Sequence, residues 1–250
     1  MIIHNEIFDS FPVIVHSPSC NSIWPRITNY FFGFPAKPFV LKDITIITWN
    51  NNIDKGILEK SLDHLSIPYI VMGRGIQEWV NTIKIQLTNK ALEDIETPYV
   101  MGIDSFDAIV TGDINHTPGI LEKSGCEMLF NATTGGLLSL PEHNLFFEQT
   151  YRNDIYKHLN AGAWLGRTEF CKEFFALTSD IHETFADDYP EESLRYSEQV
   201  RVKHAFLKLY PLAGIDTRCS IFQLLNEEYL LPASMGEEQG VKIHNKTKLM

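Results

Sequence analysis

Two carboxylates punctuate an otherwise apolar run in Tyr99-Val100-Met101-Gly102-Ile103-Asp104-Ser105-Phe106-Asp107-Ala108-Ile109-Val110. An apolar run after a turn signal reads as a buried strand, and acids at its carboxyl end sit where open α/β sheets bind ligands. Two such carboxylates supply hard oxygen ligands for a divalent cation, an ion that typically holds the phosphates of a nucleotide. The competing account is local. Asp is common where a strand becomes a loop, because its side chain bonds nearby backbone, and a short acidic pattern taken alone favours that account.

The elements that must position these acids follow from periodicity. Ile44-Thr45-Ile46-Ile47-Thr48-Trp49 is β-rich and ends in the loop signal Asn50-Asn51-Asn52; Lys55 to Leu65 then carries apolar residues at helical spacing. Pro68 to Met72 closes a strand–helix–strand unit, Gly73 and Gly75 mark the next turn, and Lys84 to Ile95 reads as a second helix leading into the acidic strand. Repeated units of this kind predict an α/β fold with a mainly parallel central sheet flanked by helices. Further on, Cys126 to Ala132 reads as a strand, Glu169 to Leu177 and Ser197 to Leu209 as helices, and the acidic Asp187 to Glu192 as a solvated loop.

Composition limits the partners. A chain of 250 residues that is 44% hydrophobic can bury a large core as one domain. A net charge of −11 argues against a nucleic-acid surface and confines any phosphate site to a small, metal-dependent patch with one or two lysines. Cys20, Cys126, Cys171 and Cys219 are widely spaced, which fits buried free thiols rather than a zinc site or a disulfide framework. Met1 to Ser10 has no basic region followed by an apolar core, and no apolar run approaches the ~18 residues of a membrane span, so the expectation is a cytoplasmic chain.

Taken in order, several motifs resemble the glycosyltransferase domain of the procollagen lysyl hydroxylase family. They are Thr48, Gly73-Arg74-Gly75-Ile76-Gln77-Glu78-Trp79, Asp104-Ser105-Phe106-Asp107, Leu159-Asn160-Ala161-Gly162-Ala163-Trp164-Leu165-Gly166, Ser197-Glu198-Gln199, and Asp216 with Ile221 to Asn226. The likeness spans roughly residues 43 to 245. It implies a GT-A-type fold that uses a UDP-sugar with Mn²⁺, and carboxylates plus one imidazole suit Mn²⁺ better than Mg²⁺.

The family places a metal-binding histidine in a Pro-Ile-Val-Val-His-like segment shortly after the last of these motifs. That segment has its counterpart here at the opposite end, in Ile3-His4-Asn5 through Pro12-Val13-Ile14-Val15-His16, and Ile3-His4-Asn5 is echoed by Ile243-His244-Asn245. The resemblance therefore implies a circular permutation, with residues 1–16 carrying the displaced strand and His16 joining Asp104 and Asp107 on the metal. Permutation leaves core contacts intact when the termini lie close together. Residues 17–42, rich in Pro and Ser, are expected as the linker, 43–112 as the nucleotide-binding half and 113–250 as the sugar and acceptor half. The rival ligand is His244; the competing account of His16 is an ordinary strand-end histidine.

The likeness also assigns roles, each beside a plainer alternative. Phe106 stacks on uracil where the family has Tyr, against simple core packing. Thr48 and Asn50 hydrogen-bond the nucleotide, against strand-end capping. Trp79 lines the base or ribose pocket and Lys84 reaches a phosphate, against a half-buried aromatic and a solvated lysine. Asn160 reads sugar hydroxyls from a Leu-Asn-Ala-Gly turn in which Gly162 permits close backbone approach, while Trp164 packs into the core. Glu198 serves the sugar or acceptor as a base or a stabilising charge. Ser197 and Thr133 stand where the family has acids, which bears on the acceptor and sugar more than on the metal.

Three functions compete. The first is a hexosyltransferase acting on a UDP-sugar, with galactose or glucose passing to a hydroxyl of a glycan, protein or small molecule. The second is an inactive relative that binds UDP-sugars or glycans, and retention of Asp104, Asp107 and a candidate histidine argues for the enzyme over it. The third, a metal-dependent phosphohydrolase, lacks the extra His/Asp clusters of two-metal sites.

Overall fold

The computed structural model describes residues 2–18, 24–33, 35, 38–185, 192–225 and 241–244. In chain order the elements are β1 (Ile2–Asn5), β2 (Ile14–His16), α1 (Trp24–Phe32), β3 (Ile44–Trp49), α2 (Ile57–Leu65), β4 (Ile70–Met72), α3 (Ile83–Glu93), β5 (Tyr99–Asp104), β6 (Ala108–Val110), α4 (Thr117–Ser124) and β7 (Met128–Thr133). They continue with α5 (Pro141–Thr150), β8 (His158–Arg167), α6 (Thr168–Phe185), the short α7 (Glu192–Arg195), α8 (Glu198–Leu209), β9 (Ala213–Ile215), β10 (Phe222–Leu224) and β11 (Val241–His244). None of the described helices is long and apolar enough to cross a membrane.

Six strands form the central sheet in the order β4-β3-β5-β8-β7-β9. The β3–β4, β3–β5 and β7–β9 pairs are parallel, as periodicity suggested, but β8 runs antiparallel to both β5 and β7. The sheet is mixed, a correction to the mainly parallel expectation. Hydrophobic pattern reports which faces are buried and is silent on direction.

Side chains alternate across this sheet into two cores. Ile44, Ile46, Met101 and Ile103 join Leu58 and Leu62 of α2 and Leu121 of α4 on one side, whereas Ile47, Trp49, Val100 and Phe130 join Phe174 of α6, Phe206 of α8 and Phe147 of α5 on the other. Trp164 belongs to the second core, 1% exposed, and lies so close over Gly102 that a Cβ there would stand 2.4 Å from its Cε2. Its expected core role holds.

The N-terminal segment is woven into the rest of the chain. β2 is the middle strand of a small sheet, β10-β2-β6, parallel to β10 and antiparallel to β6. β1 pairs antiparallel with β11, Ile3 opposite Ile243 and Asn5 opposite Val241, which brings the two echoing segments together; Asn245 and the His244 side chain lie outside the described residues. The side-chain amide of Asn5 donates to Gln223 Oε1 at 2.8 Å, tying β1 to β10.

Residues 17–42 are more than a linker. They hold α1, whose Trp24, Ile27 and Phe31 are buried in the first core, at the three- and four-residue spacing that lets a helix bury one stripe. The acidic segment expected as a loop lies outside the described residues from 187 to 191, and Glu192 begins α7. Cys171 and Cys219 are buried free thiols and Cys126 is partly exposed; Cys20 is outside the described residues.

Candidate metal centre

Register explains how distant residues meet. β5 ends at Asp104, the chain turns through Ser105-Phe106-Asp107, and β6 returns beside β2 with Ala108 opposite His16. The Ser17 N–H donates to the Asp107 carbonyl at 2.8 Å and the Leu225 N–H to the His16 carbonyl at 2.9 Å, clamping His16 on both sides. The acidic turn is gripped from below by α2: the Leu58 N–H donates to the Ser105 carbonyl at 3.0 Å, and the Ser105 hydroxyl donates to the buried Glu59 at 2.8 Å.

The result is a cluster of three ligand-type side chains. His16 Nε2 lies 3.4 Å from Asp107 Oδ1 and 4.0 Å from Asp104 Oδ2. Two ligands each about 2.0–2.3 Å from a shared cation are about 3 Å apart at a right angle and about 4.5 Å apart when opposite, so these spacings suit an ion between them. His16 is buried, and its Nε2 has no hydrogen-bond partner among the described residues. A buried polar atom left open in this way calls for a partner such as an ion or water.

The floor of the cluster is backbone. Asn131 pairs with Asn160 and Phe130 with Trp164, so Ala161-Gly162-Ala163 of β8 has no counterpart on β7 and bulges out of register. Bulges re-aim strands beside functional sites, and this one drives Gly162 up against His16 and Asp104. A Cβ on Gly162 would fall 2.4 Å from His16 Cε1, 2.7 Å from Asp104 Oδ2 and 2.8 Å from His16 Nε2. The expected close approach at Gly162 is present, but in a bulged strand rather than a turn.

Lys84 and Glu198 complete the charges. Lys84 Nζ donates to Asp104 Oδ1 at 2.6 Å and to Glu198 Oε1 at 3.2 Å, leaving Asp104 Oδ2 on the side of His16. Burial opposes the Lys84 charge, yet Asp104 and Glu198 outweigh it and raise its pKa. Burial also works against a charged His16, and Asp107 and Asp104 more than compensate, so its pKa rises. For Asp107, desolvation is overcome by His16 and the carboxyl stays below its ordinary value; for Asp104, burial and the neighbouring acids Asp107 and Glu198 prevail over Lys84 and raise it. Such opposed shifts in neighbouring acids are typical of functional sites.

The remaining expected residues divide. Phe106 is 45% exposed beside the acids, which excludes core packing and leaves its ring free to stack. Trp79 is half-buried, its indole N–H donating to Asn81 Oδ1 at 3.2 Å, and Asn160 accepts the Gly162 N–H at 2.9 Å inside the bulge. Thr48 is fully buried and its hydroxyl donates to the Ile103 carbonyl at 2.7 Å; Asn50 is 1% exposed, with Oδ1 accepting the Asn52 N–H at 2.8 Å and its amide donating to the Asp54 carbonyl at 3.0 Å. Both polar side chains are thus spent on holding strand and loop, the plainer of their two accounts.

Four features were not foreseen in the sequence. Asn131, fully buried in β7, places its Nδ2 3.1 Å from His16 Nδ1, and Gln199 accepts the Ala161 N–H at 3.2 Å, pinning the bulge to α8. A second cluster, Glu142, His143 and His204, joins α5 and α8. There Nδ1 of His143 accepts the Leu140 N–H at 3.3 Å, which puts the ring proton on Nε2 and denies a cation that lone pair. A cavity of about 570 Å³ lined by Asp9, His116, Lys123, Thr217 and Arg218 includes none of the clustered ligands.

In comparisons with known proteins, the chain matches no protein-family model and no curated protein.

Proposed function

We propose that this chain is a metal-dependent hexosyltransferase of GT-A type, circularly permuted relative to the procollagen lysyl hydroxylase glycosyltransferase domain it resembles. It moves galactose or glucose from a UDP-sugar to a hydroxyl acceptor, with Mn²⁺ as cofactor. The observation that carries the reading is the meeting of His16 with Asp104 and Asp107 over the Cβ-free Gly162, at the carboxyl end of β5. That is where a ligand belongs in an open α/β sheet.

His16, Asp104 and Asp107 would hold the cation, whose charge offsets the diphosphate as it departs. Phe106, exposed beside them, offers a face for the base. Lys84, poised between Asp104 and Glu198, supplies a second positive charge that can turn to a phosphate oxygen. As the bond from the anomeric carbon to the diphosphate oxygen breaks, its electron pair leaves with UDP. The acceptor oxygen forms the new bond to that carbon, and Glu198 takes the hydroxyl proton.

A UDP-sugar panel scored for UDP release with Mn²⁺ tests this. Release with one hexose, lost in Asp104→Ala and Asp107→Ala, is the expected outcome. Mn²⁺-dependent UDP binding without release from any donor points instead to the binding module, and binding of neither removes the reading.

A further inference from the structure

The second nitrogen of His16 is the key to its first. An imidazole binds a cation through a nitrogen lone pair, and which nitrogen keeps its proton is decided by the hydrogen bond at the other. His16 Nδ1 faces the side-chain amide of Asn131, with Nδ2 at 3.1 Å, and Asn131 Oδ1 has no hydrogen-bond partner among the described residues. Asn131 is fully buried, flanked in β7 by the core residues Phe130 and Ala132. A polar amide so placed calls for a reason.

The amide can face Nδ1 in two ways that occupy the same volume. With Nδ2 forward, an N–H donates to Nδ1, the ring proton sits on Nε2, and His16 has no lone pair to offer on the side of Asp107 Oδ1, 3.4 Å away. With Oδ1 forward, Nδ1 keeps the proton and donates it to the amide oxygen, which frees the Nε2 lone pair toward both carboxylates. Only the second arrangement makes His16 a ligand.

We propose that Asn131 is a positioning residue for the cation: its side-chain oxygen, turned onto His16 Nδ1, holds the imidazole in the tautomer whose Nε2 lone pair faces Asp104 and Asp107. This rests on the reading of those three side chains as ligands. The register slip between Phe130 and Asn131 is part of the same device, since the bulge that lifts Gly162 begins where Asn131 is presented to His16. Asn131 touches neither cation nor substrate and acts through His16 alone.

Mn²⁺ alone, titrated with free ion followed by electron paramagnetic resonance, reads the effect without turnover. Removing an outer partner of a metal-bound histidine typically costs 10–100-fold in affinity, so Asn131→Leu should weaken Mn²⁺ binding by about that factor. Asn131→Asp, which offers only oxygen acceptors, should bind Mn²⁺ at least as tightly as the parent. Nitrogen-15 spectra of the parent with Zn²⁺, a diamagnetic substitute, should show the His16 proton on Nδ1. Parent-like affinity in folded Asn131→Leu overturns the proposal, as does a tenfold loss in Asn131→Asp, which carries the test alone if the leucine variant does not fold. A proton on Nε2 in the loaded protein overturns it as well. Asp104→Ala separates the two levels: if it binds Mn²⁺ like the parent, the ligand reading itself falls, whereas its failure beside an unaffected Asn131→Leu removes only the role of Asn131.

Discussion

Replacing Gly162 with alanine adds one methyl group at the most crowded point of the cluster. The new Cβ would stand 2.4 Å from His16 Cε1, against the ~3.5–4.0 Å at which carbon atoms pack, so about 1 Å of displacement is required. His16 cannot give way easily, because its strand is the middle one of three and its carbonyl and the next N–H are both bonded. Asp104 is likewise held by Lys84. Overpacking of this kind costs ~1–3 kcal/mol, or a fall in Tm of roughly 2–12 °C for a domain of this size. Displacing a ligand that far should cost at least as much affinity as removing an outer partner of a metal-bound histidine, up to ~100-fold. With Mn²⁺ at 100 times the parent Kd, mass action gives the parent ~2.7 kcal/mol, a rise of roughly 5–11 °C, while a 100-fold weaker variant gains ~0.4 kcal/mol, about 1 °C. Thermal melts with and without Mn²⁺ therefore separate the two effects, the first in the ion-free Tm and the second in the increment. A Gly162→Ala protein with an undiminished increment would show that no cation sits over this backbone.

Other perturbations test other parts. Glu198→Gln should lower transfer by ~10²–10⁴-fold while UDP binding persists, and unchanged turnover would remove Glu198 from the reaction. Lys84→Met strips the counter-charge from Asp104 and Glu198, and breaking such a buried pair costs on the order of 3 kcal/mol. The variant should melt lower without metal and gain more than the parent from Mn²⁺; identical melts refute the pairing. His143 has its pKa pushed down to about 3 by burial and by His204 and Lys203 nearby, so the native state refuses a proton that the unfolded chain accepts. Stability should then fall as pH drops from about 6.5 toward 3, by on the order of 2–3 kcal/mol at pH 4.5. His143→Gln keeps an acceptor for the Leu140 N–H at the helix start and should flatten that slope, as acid melts of the two proteins would reveal.

Much of the first half was legible because it obeys local rules. The strands ending at Trp49 and Asp104 and the helices between them have clean periodicity, and the structure forms them within one or two residues of the expected bounds. The clustered side chains were legible for a different reason: Asp104, Asp107 and His16 are chemically distinctive against apolar surroundings. What stayed hidden depends on register and direction. Leu159 to Gly162 carries a turn residue and so read as a turn, yet it is a strand bulged between two partners. Asn131 has no local signature, since its meaning comes from a histidine on another sheet. The polarity of Thr48 and Asn50 was visible, but their partners at Ile103 and Asp54 were not, and those partners decide whether the groups are free. In α1, Trp24, Ile27 and Phe31 did follow helical spacing, but the surrounding prolines and serines masked it.

The placement of β2 between β10 and β6 sets an order on assembly. β6 follows β5 closely, but β10 lies some two hundred residues beyond β2, and closing a loop of that length must be paid before the pairing returns anything. Local hairpins and strand–helix units form without it. The seat for His16 is complete only when β10 joins β2, so contact order favours a late meeting of His16 with Asp104 and Asp107 over an early one. A cation held by these three side chains would then reward the finished molecule rather than guide the nascent one.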